Sequence, residues 1–393
     1  MGKGKRFTAA ALVLTLALSG CAAPVENNTE KKDDKTNSQT EKQVKEKAYQ
    51  PQLDVIKPAA YGNAEGLHLE KGSYISIIGK SKEGPYWNTV QKGAEQAAKD
   101  INEQLGYEGK DQVKVAYIAP SEADDVDEQV NILDEELARY PVALGIAIAD
   151  EQACEVQFDL AADSGIPVVA FDSGSDYQGL MATVSTNNTK SAQTAADELS
   201  KSIGGEGEVI IFTHSSNSRT GKERERAFKE KMKKSHPDIQ IVETYRMDDI
   251  ESIQKTIAEE KQKESGMDEV IDIEGVTAEE TVDYILKKHP NVKGFFGTSA
   301  EAVKEIVSAM DRAGMQEAAV VGFDADEEEI ELLKEGEIDG LVLQNPFGMG
   351  YAAVIAASRA ALSIGNEAYV DTGYVWVTKE NLESKEIQNM LGK

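Results

Sequence analysis

From residue 73 to the C-terminus, short apolar runs alternate with longer stretches whose apolar residues recur every three or four positions. The short runs predict buried strands and the longer ones amphipathic helices, a combination that indicates parallel sheets covered by helices. The predicted strands fall at 74–78, 112–118, 142–148, 167–171, 208–212, 239–245, 292–296, 319–323 and 340–344. Between the first two, Val90, Ala94, Ala97, Ala98 and Ile101 mark the helical period. Right-handed crossovers make such an α/β architecture doubly wound. Nine parallel strands exceed an ordinary single core, so the chain is expected to divide near residues 185–188 into two α/β lobes.

The first twenty residues follow a different pattern. Lys3, Lys5 and Arg6 precede an apolar stretch over 7–18, which falls short of the roughly 20 residues a membrane-spanning helix needs. This reads as a cleavable export signal. It closes on Leu18-Ser19-Gly20-Cys21, which resembles a bacterial lipobox and implies cleavage before Cys21 and acylation of its thiol. Residues 22–57 show no apolar period, and their Lys residues are balanced by Glu and Asp. Such a segment is expected to be a disordered tether, because it offers too little apolar surface to offset chain entropy. With Cys21 lipidated, Cys154 has no partner. It lies in a predicted helix over 152–164 and reads as a small buried hydrophobe without function.

Composition narrows the function. In 393 residues, 42 Lys and Arg face 70 Asp and Glu, a formal charge of −28. This balance disfavours nucleic acid, whose phosphates require clustered cations. Two Cys and four scattered His form no metal-binding motif, so neither metal nor cofactor is expected. Residues 1–57 carry 10 basic and 7 acidic groups, which leaves −31 on the rest. The acidity therefore belongs to the folded body, as a surface field that repels anionic polymers.

In open α/β sheets, ligands bind beyond the carboxyl ends of the strands. Those positions hold Tyr86 and Trp87 after the first strand, Asp150 after the third, and Asp172 and Ser173 after the fourth. In the second half they hold Arg219, Lys222 and Arg224 after the fifth, Ser299 after the seventh, Asp324 after the eighth and Gln344 after the ninth. Carboxylates and an amide that accept and donate hydrogen bonds, beside aromatic faces, suit a polyhydroxylated ligand. No nucleophile with a neighbouring base, P-loop or metal set accompanies them. Asp172 and Asp324 form a conceivable glycosidase pair, but the set is incomplete as an enzyme site.

At these same residues the chain resembles the ribose/galactose-type solute-binding proteins of ABC transporters, the type I periplasmic binding proteins. The matching stretches are Gly84-Pro85-Tyr86-Trp87 with Gly93-Ala94, then 165–173, 223–228, Val320-Val321-Gly322-Phe323-Asp324, and 340–346, in order over 73–391. The resemblance implies a two-lobed Venus flytrap with three hinge crossings, no catalysis, and delivery of a ligand to a membrane permease. It divides the chain into a signal (1–20), a tether (21–72), an N-terminal lobe (73–185 plus 346–372) and a C-terminal lobe (186–345 plus 373–393). It also makes Tyr86 and Trp87 stacking aromatics, Asp172 and Asp324 hydroxyl acceptors, Gln344 a hinge-side amide, and Arg224 the family's helix arginine.

Ribose-type members carry Arg at the position of Ser173, Asn-Asp at Ser299-Ala300 and an amide at Ala147, while Lys222 adds a cation. Ribose itself is therefore disfavoured, and another sugar or polar solute is expected. Asn187 and Asn188 read as a turn at the first crossing. Between Tyr245 and His289 about 20 additional residues, rich in Glu, Lys and Asp, predict a solvated helical extension of the C-terminal lobe. The expected protein is a lipid-anchored, monomeric receptor on the extracytoplasmic face of the membrane. Presentation of the closed form to a chemoreceptor or sensor kinase is the alternative to transport.

Overall fold

The computed structural model describes residues 47–265 and 272–392. The export signal, Cys21 and the expected tether up to residue 46 lie outside them. Twelve strands occur among the described residues: β1 (Tyr74–Ile78), β2 (Lys114–Ile118), β3 (Ala143–Ile146), β4 (Val168–Phe171), β5 (Thr183–Ser185), β6 (Gly207–Thr213), β7 (Ile239–Arg246), β8 (Val292–Gly297), β9 (Ala319–Phe323), β10 (Gly340–Gln344), β11 (Tyr369–Asp371) and β12 (Tyr374–Val377). The helices are α1 (Gln50–Asp54), α2 (Pro85–Leu105), α3 (Val126–Leu137), α4 (Glu155–Asp163), α5 (Asn188–Ser202), α6 (Arg219–Ser235), α7 (Glu251–Ser265), α8 (Ala278–Lys288), α9 (Ala300–Ala313), α10 (Glu327–Glu335), α11 (Pro346–Ala361) and α12 (Lys385–Met390).

The strands form two six-stranded sheets of matching order, β11-β5-β4-β3-β1-β2 and β12-β10-β9-β8-β6-β7. All pairings are parallel except that of β12 with β10. The two expected doubly wound lobes are therefore present, and each predicted strand has its counterpart. The three strands that periodicity missed, β5, β11 and β12, have only three or four residues. A run that short carries no measurable alternation.

The chain passes from one sheet to the other three times, between β5 and α5, between β10 and α11, and between β11 and β12. Helix α11 is apolar almost all round because it lies against both the first sheet and α2. Gly93 and Gly350 allow that approach: a Cβ on Gly93 would meet the Phe347 carbonyl oxygen at 2.0 Å, and one on Gly350 the Val90 carbonyl oxygen at 1.9 Å. Cys154 is buried against Phe158 and its neighbours, and burial pushes its thiol up to about 12. At neutral pH it is an inert apolar side chain.

The additional residues after Tyr245 build α7, a 3-10 turn at Ile273–Gly275 and α8. Helix α8 is fixed by a capping box between Thr277 and Glu280 and packs Val282, Ile285 and Leu286 into the core of the second lobe. Helix α7 adds a small satellite core of Ile257, Ala258 and Val276. The segment is a helical extension of the C-terminal lobe.

One expectation needs correction. Residues 47–72 are folded rather than part of a disordered tether. Leu53, Ile56, Tyr61, Leu67 and Leu69 are buried in the core of the first lobe, while Val55 packs on the core of the second. Lys57 and Asp371 exchange both backbone hydrogen bonds, at 2.8 and 2.9 Å. Gln52 donates from Nε2 to the Met390 carbonyl, and its own carbonyl accepts from Asn345 Nδ2 at 2.7 Å. The segment is thus a strap across the hinge. Its apolar residues follow no single period because most of it is irregular chain, which left them unreadable as a core face. Truncating Leu53 to Ala is expected to lower stability by about 2–5 kcal/mol, measured by urea denaturation. The same change in a solvated tether would shift it by less than about 0.5 kcal/mol.

Candidate functional site

Because the two sheets share one strand order, they share one topological switch point, between β1 and β3 in the first and between β6 and β8 in the second. The crevice there is where an open α/β sheet offers its strand-end residues to a ligand. Gln129 on α3 braces the first of these points. Its buried amide donates to the carbonyls of Gly79 and Ala147 and accepts from the Ala149 N–H. This fixes the loops after β1 and β3 in a position where Ala147 itself offers no polar group.

In the first lobe, Gly84 adopts φ 101° and turns the chain into α2, whose first turn presents Tyr86 and Trp87. Their rings meet edge to face at 5.1 Å. Tyr86 donates to Asp172 Oδ1 at 2.7 Å. Asp172 ends β4 in the left-handed region, at φ 57°, and is buried. Its other oxygen lies 3.7 Å from the ammonium of Lys80, which follows β1 and is also buried. Burial, with Asp172 and Asp324 nearby, holds the Tyr86 phenol well above its usual range, so it remains a donor.

The second lobe repeats the device. Asp324 ends β9 at φ 77°. It accepts from Gln344 Nε2 at 2.6 Å and from the Ala300 N–H at 3.2 Å. An Asp tolerates this backbone conformation better than a branched side chain does. Burial pushes Asp324 up to about 6, against the opposing pull of Arg224 and Gln344. Arg224, on the inner face of α6, is itself buried. It donates to Asn188 Oδ1 at 2.8 Å, to the Thr298 carbonyl at 2.7 Å and to Gln344 Oε1 at 3.1 Å, with its guanidinium 4.0 Å from the centre of the Phe323 ring. These contacts use three of the five N–H donors of an arginine.

The two groups meet across the cleft. Lys80 donates to Ser218 Oγ at 3.2 Å, and Ser173 Oγ lies 3.4 Å from the same hydroxyl. His214, just after β6, places Nδ1 2.7 Å from Thr298 Oγ1. Burial, then Arg224 and Lys80, hold its imidazole well below its ordinary value. It is neutral at pH 7, and where Thr298 donates to Nδ1, Nε2 carries the proton and is a donor.

Of the residues singled out from the sequence, Tyr86, Asp172, Ser173, Arg224, Asp324 and Gln344 take part in these contacts, while Trp87 meets Tyr86 edge to face and packs against the first-lobe core. Lys222 does not: it lies at the rim, 2.7 Å from Glu151 of the other lobe. At 3.6 residues per turn, positions 222 and 224 are roughly 200° apart on α6, so Arg224 faces inward and Lys222 outward. Arg219 lies on the rim as well, 2.6 Å from Asp176. Asp150 accepts from the N–H groups of Gln152 and Ala153 and shapes its own turn. Ser299 caps α9, accepting from the Ala302 N–H at 3.3 Å. Asn187 caps α5, as a turn residue should, but Asn188 is a direct partner of Arg224. Lys80 and His214 escaped the sequence reading. Both stand within two residues of a strand end, so strict use of the strand-end rule would have found them.

Among the described residues no group of three or more His, Cys, Asp and Glu is placed to hold a metal ion. The ionisation of Asp324 is directly testable. A carboxyl whose folded value lies above its unfolded one stabilises the fold at low pH, and that contribution is lost as pH rises through about 6. Asp324→Asn, which cannot ionise, is therefore expected to gain about 1 kcal/mol relative to the parent between pH 5 and pH 8. Parallel urea titrations at the two pH values measure it.

Residues 75–366 match the family model described as periplasmic binding protein domain. The chain is 23% identical over 287 residues to the D-apiose import binding protein of Actinobacillus succinogenes, covering 72% of this chain and 81% of that one. It is 19% identical over 285 residues to the ribose import binding protein of Escherichia coli, covering 72% and 83%. A carbohydrate transporter solute-binding protein from Agrobacterium radiobacter, solved in complex with D-arabinose, superimposes with TM-score 0.66 at 27% identity over 81% of this chain and 98% of that one.

Proposed function

Given that the chain belongs to the periplasmic binding protein family, we propose that it is the extracytoplasmic receptor of an ABC importer, capturing a monosaccharide or related polar solute between its lobes. It is a binding protein and not an enzyme, as its family is. The observation that carries the ligand class is the convergence of Tyr86 and Asp172 from one lobe with Arg224, Asp324 and Gln344 from the other, with Trp87 edge-on to Tyr86. Import binding proteins for D-apiose and ribose among its relatives, and the D-arabinose complex of a structural neighbour, support a sugar.

The roles follow from the chemistry. The Trp87 face packs against ring C–H groups, and Asp172 and Asp324 accept from hydroxyls. Gln344 and Arg224 orient Asp324 and offer the N–H donors they retain. Lys80 adds a donor from one wall, and His214 adds one from the other where its Nε2 carries the proton. A ligand that touches both walls favours the closed arrangement of the lobes, and the permease reads that closure. The protein acts as a monomer, since a cleft that must open is served by two free lobes. It is held at the outer membrane face by acyl chains on Cys21, with the residues before 47 as the tether.

Two measurements test this. Calorimetric titration with pentoses, hexoses and polyols should give saturable heat for at least one, and Trp87→Ala should weaken that binding about tenfold. Folded protein giving no heat with any of them would sink the sugar reading. In a bacterial host fed an alkyne fatty acid, the parent should take up the label and sediment with membranes. Cys21→Ser should lose both properties, and retention of the label would exclude acylation at that thiol.

A further inference from the structure

Beside the cleft the lobes enclose a second space, a cavity of about 420 Å³. It shares Asp172, Ser173 and Asn188 with the site described above, so the two are contiguous. It is lined by the loop after β4, the first turn of α6, and Ala368 and Tyr369. Small side chains make this room. Ser173, Gly174 and Ser175 follow one another on the first-lobe wall. The volume falls within the roughly 300–1,000 Å³ typical of small-molecule sites.

The lining indicates what fits. Ser175 stands with Ser185, Thr220 and Asn188 as uncharged hydrogen-bonding groups. The charged members are one guanidinium, Arg219, against the carboxylates of Asp172, Asp176 and Glu223. Arg219 is already engaged by Asp176 at 2.6 Å and Glu223 at 3.0 Å. A phosphate or carboxylate would meet net negative charge here without a free cation. Tyr369 is 43% exposed, with its hydroxyl held by the Ser185 carbonyl at 3.2 Å. Its ring thus offers a fixed apolar face of the kind that packs on a sugar ring.

We propose that the ligand carries a second, uncharged polyhydroxylated group housed in this side cavity, so that the protein selects a disaccharide or glycoside over a free monosaccharide. The proposal rests on the sugar-binding reading above and shifts its ligand from a free monosaccharide to a sugar that carries a second unit. One sugar unit lies among Trp87, Asp172, Asp324 and Gln344, and the second extends past Ser173 toward Tyr369. The Arg219–Asp176 pair joins the two lobes at the outer edge of the cavity and closes over the second unit.

The experiment is calorimetric titration of the full chain with D-glucose, D-galactose, D-arabinose and D-ribose, and with methyl glycosides and disaccharides built from them. At least one extended sugar should bind ten times or more tightly than its free parent. Ala368→Trp, on the exposed rim, should remove at least tenfold from that affinity and leave the parent sugar within twofold. Ser175→Phe, from the opposite wall, should do the same. Free sugars binding as tightly as all their extended forms, or a preference untouched by both variants, would overturn the proposal and leave the sugar reading intact. Binding of neither class would overturn both.

Discussion

A buried cation governs the arrangement of this molecule. The guanidinium of Arg224 is withdrawn from water, and a charge so placed is tolerated only when its donors find partners. It finds them in three separate stretches: Asn188 at the start of α5, the carbonyl of Thr298 after β8, and Gln344 at the end of β10. Two of these flank crossings between the lobes. Thr186, in the first crossing, also donates to Gln344 at 2.8 Å, and Gln344 passes its own hydrogen to Asp324. One side chain therefore fixes the inner ends of the second sheet, the hinge that leads to them, and the carboxylate aimed at the cleft.

The hinge has a second fastening on its outer side. Asn345 uses its amide nitrogen for the carbonyls of Gln52 and Thr372, and its oxygen for the N–H of Gly348. Its one side chain thus ties the second crossing to the third and both to the strap that precedes β1. The strap in turn reaches Asp100 of α2 through Lys47 and Tyr49, and α12 through Gln52. The chain that arrives from the N-terminal side is bonded to both lobes before the first sheet begins.

The two aspartates at the strand ends show how one structural idea serves both lobes. Each leaves its strand in a left-handed conformation, at φ 57° and φ 77°, while its N–H still bonds the next strand. Their surroundings then differ. Asp172 faces a phenol and an ammonium, whereas Asp324 faces an amide, a backbone N–H and a guanidinium shared with others. Equivalent positions in the two lobes thus carry two unlike carboxylates.

The sequence by itself determined the lobes, their strands and most of the cleft. Strand runs such as 319–323 and 340–343 are apolar throughout because both faces are covered, and that pattern is local. Asp172, Asp324 and Gln344 were legible for the same reason, since they stand next to such runs. Only the tertiary structure decided which cations count. Lys222 and Arg224 are two residues apart, yet the helix turns one to the rim and the other into the core. Lys80 meets its partner Ser218 only once the second lobe lies against the first, and His214 meets Thr298 only once the second sheet has formed. The strap was illegible because its buried residues answer to two lobes and a hinge, surfaces that exist only once the chain has folded.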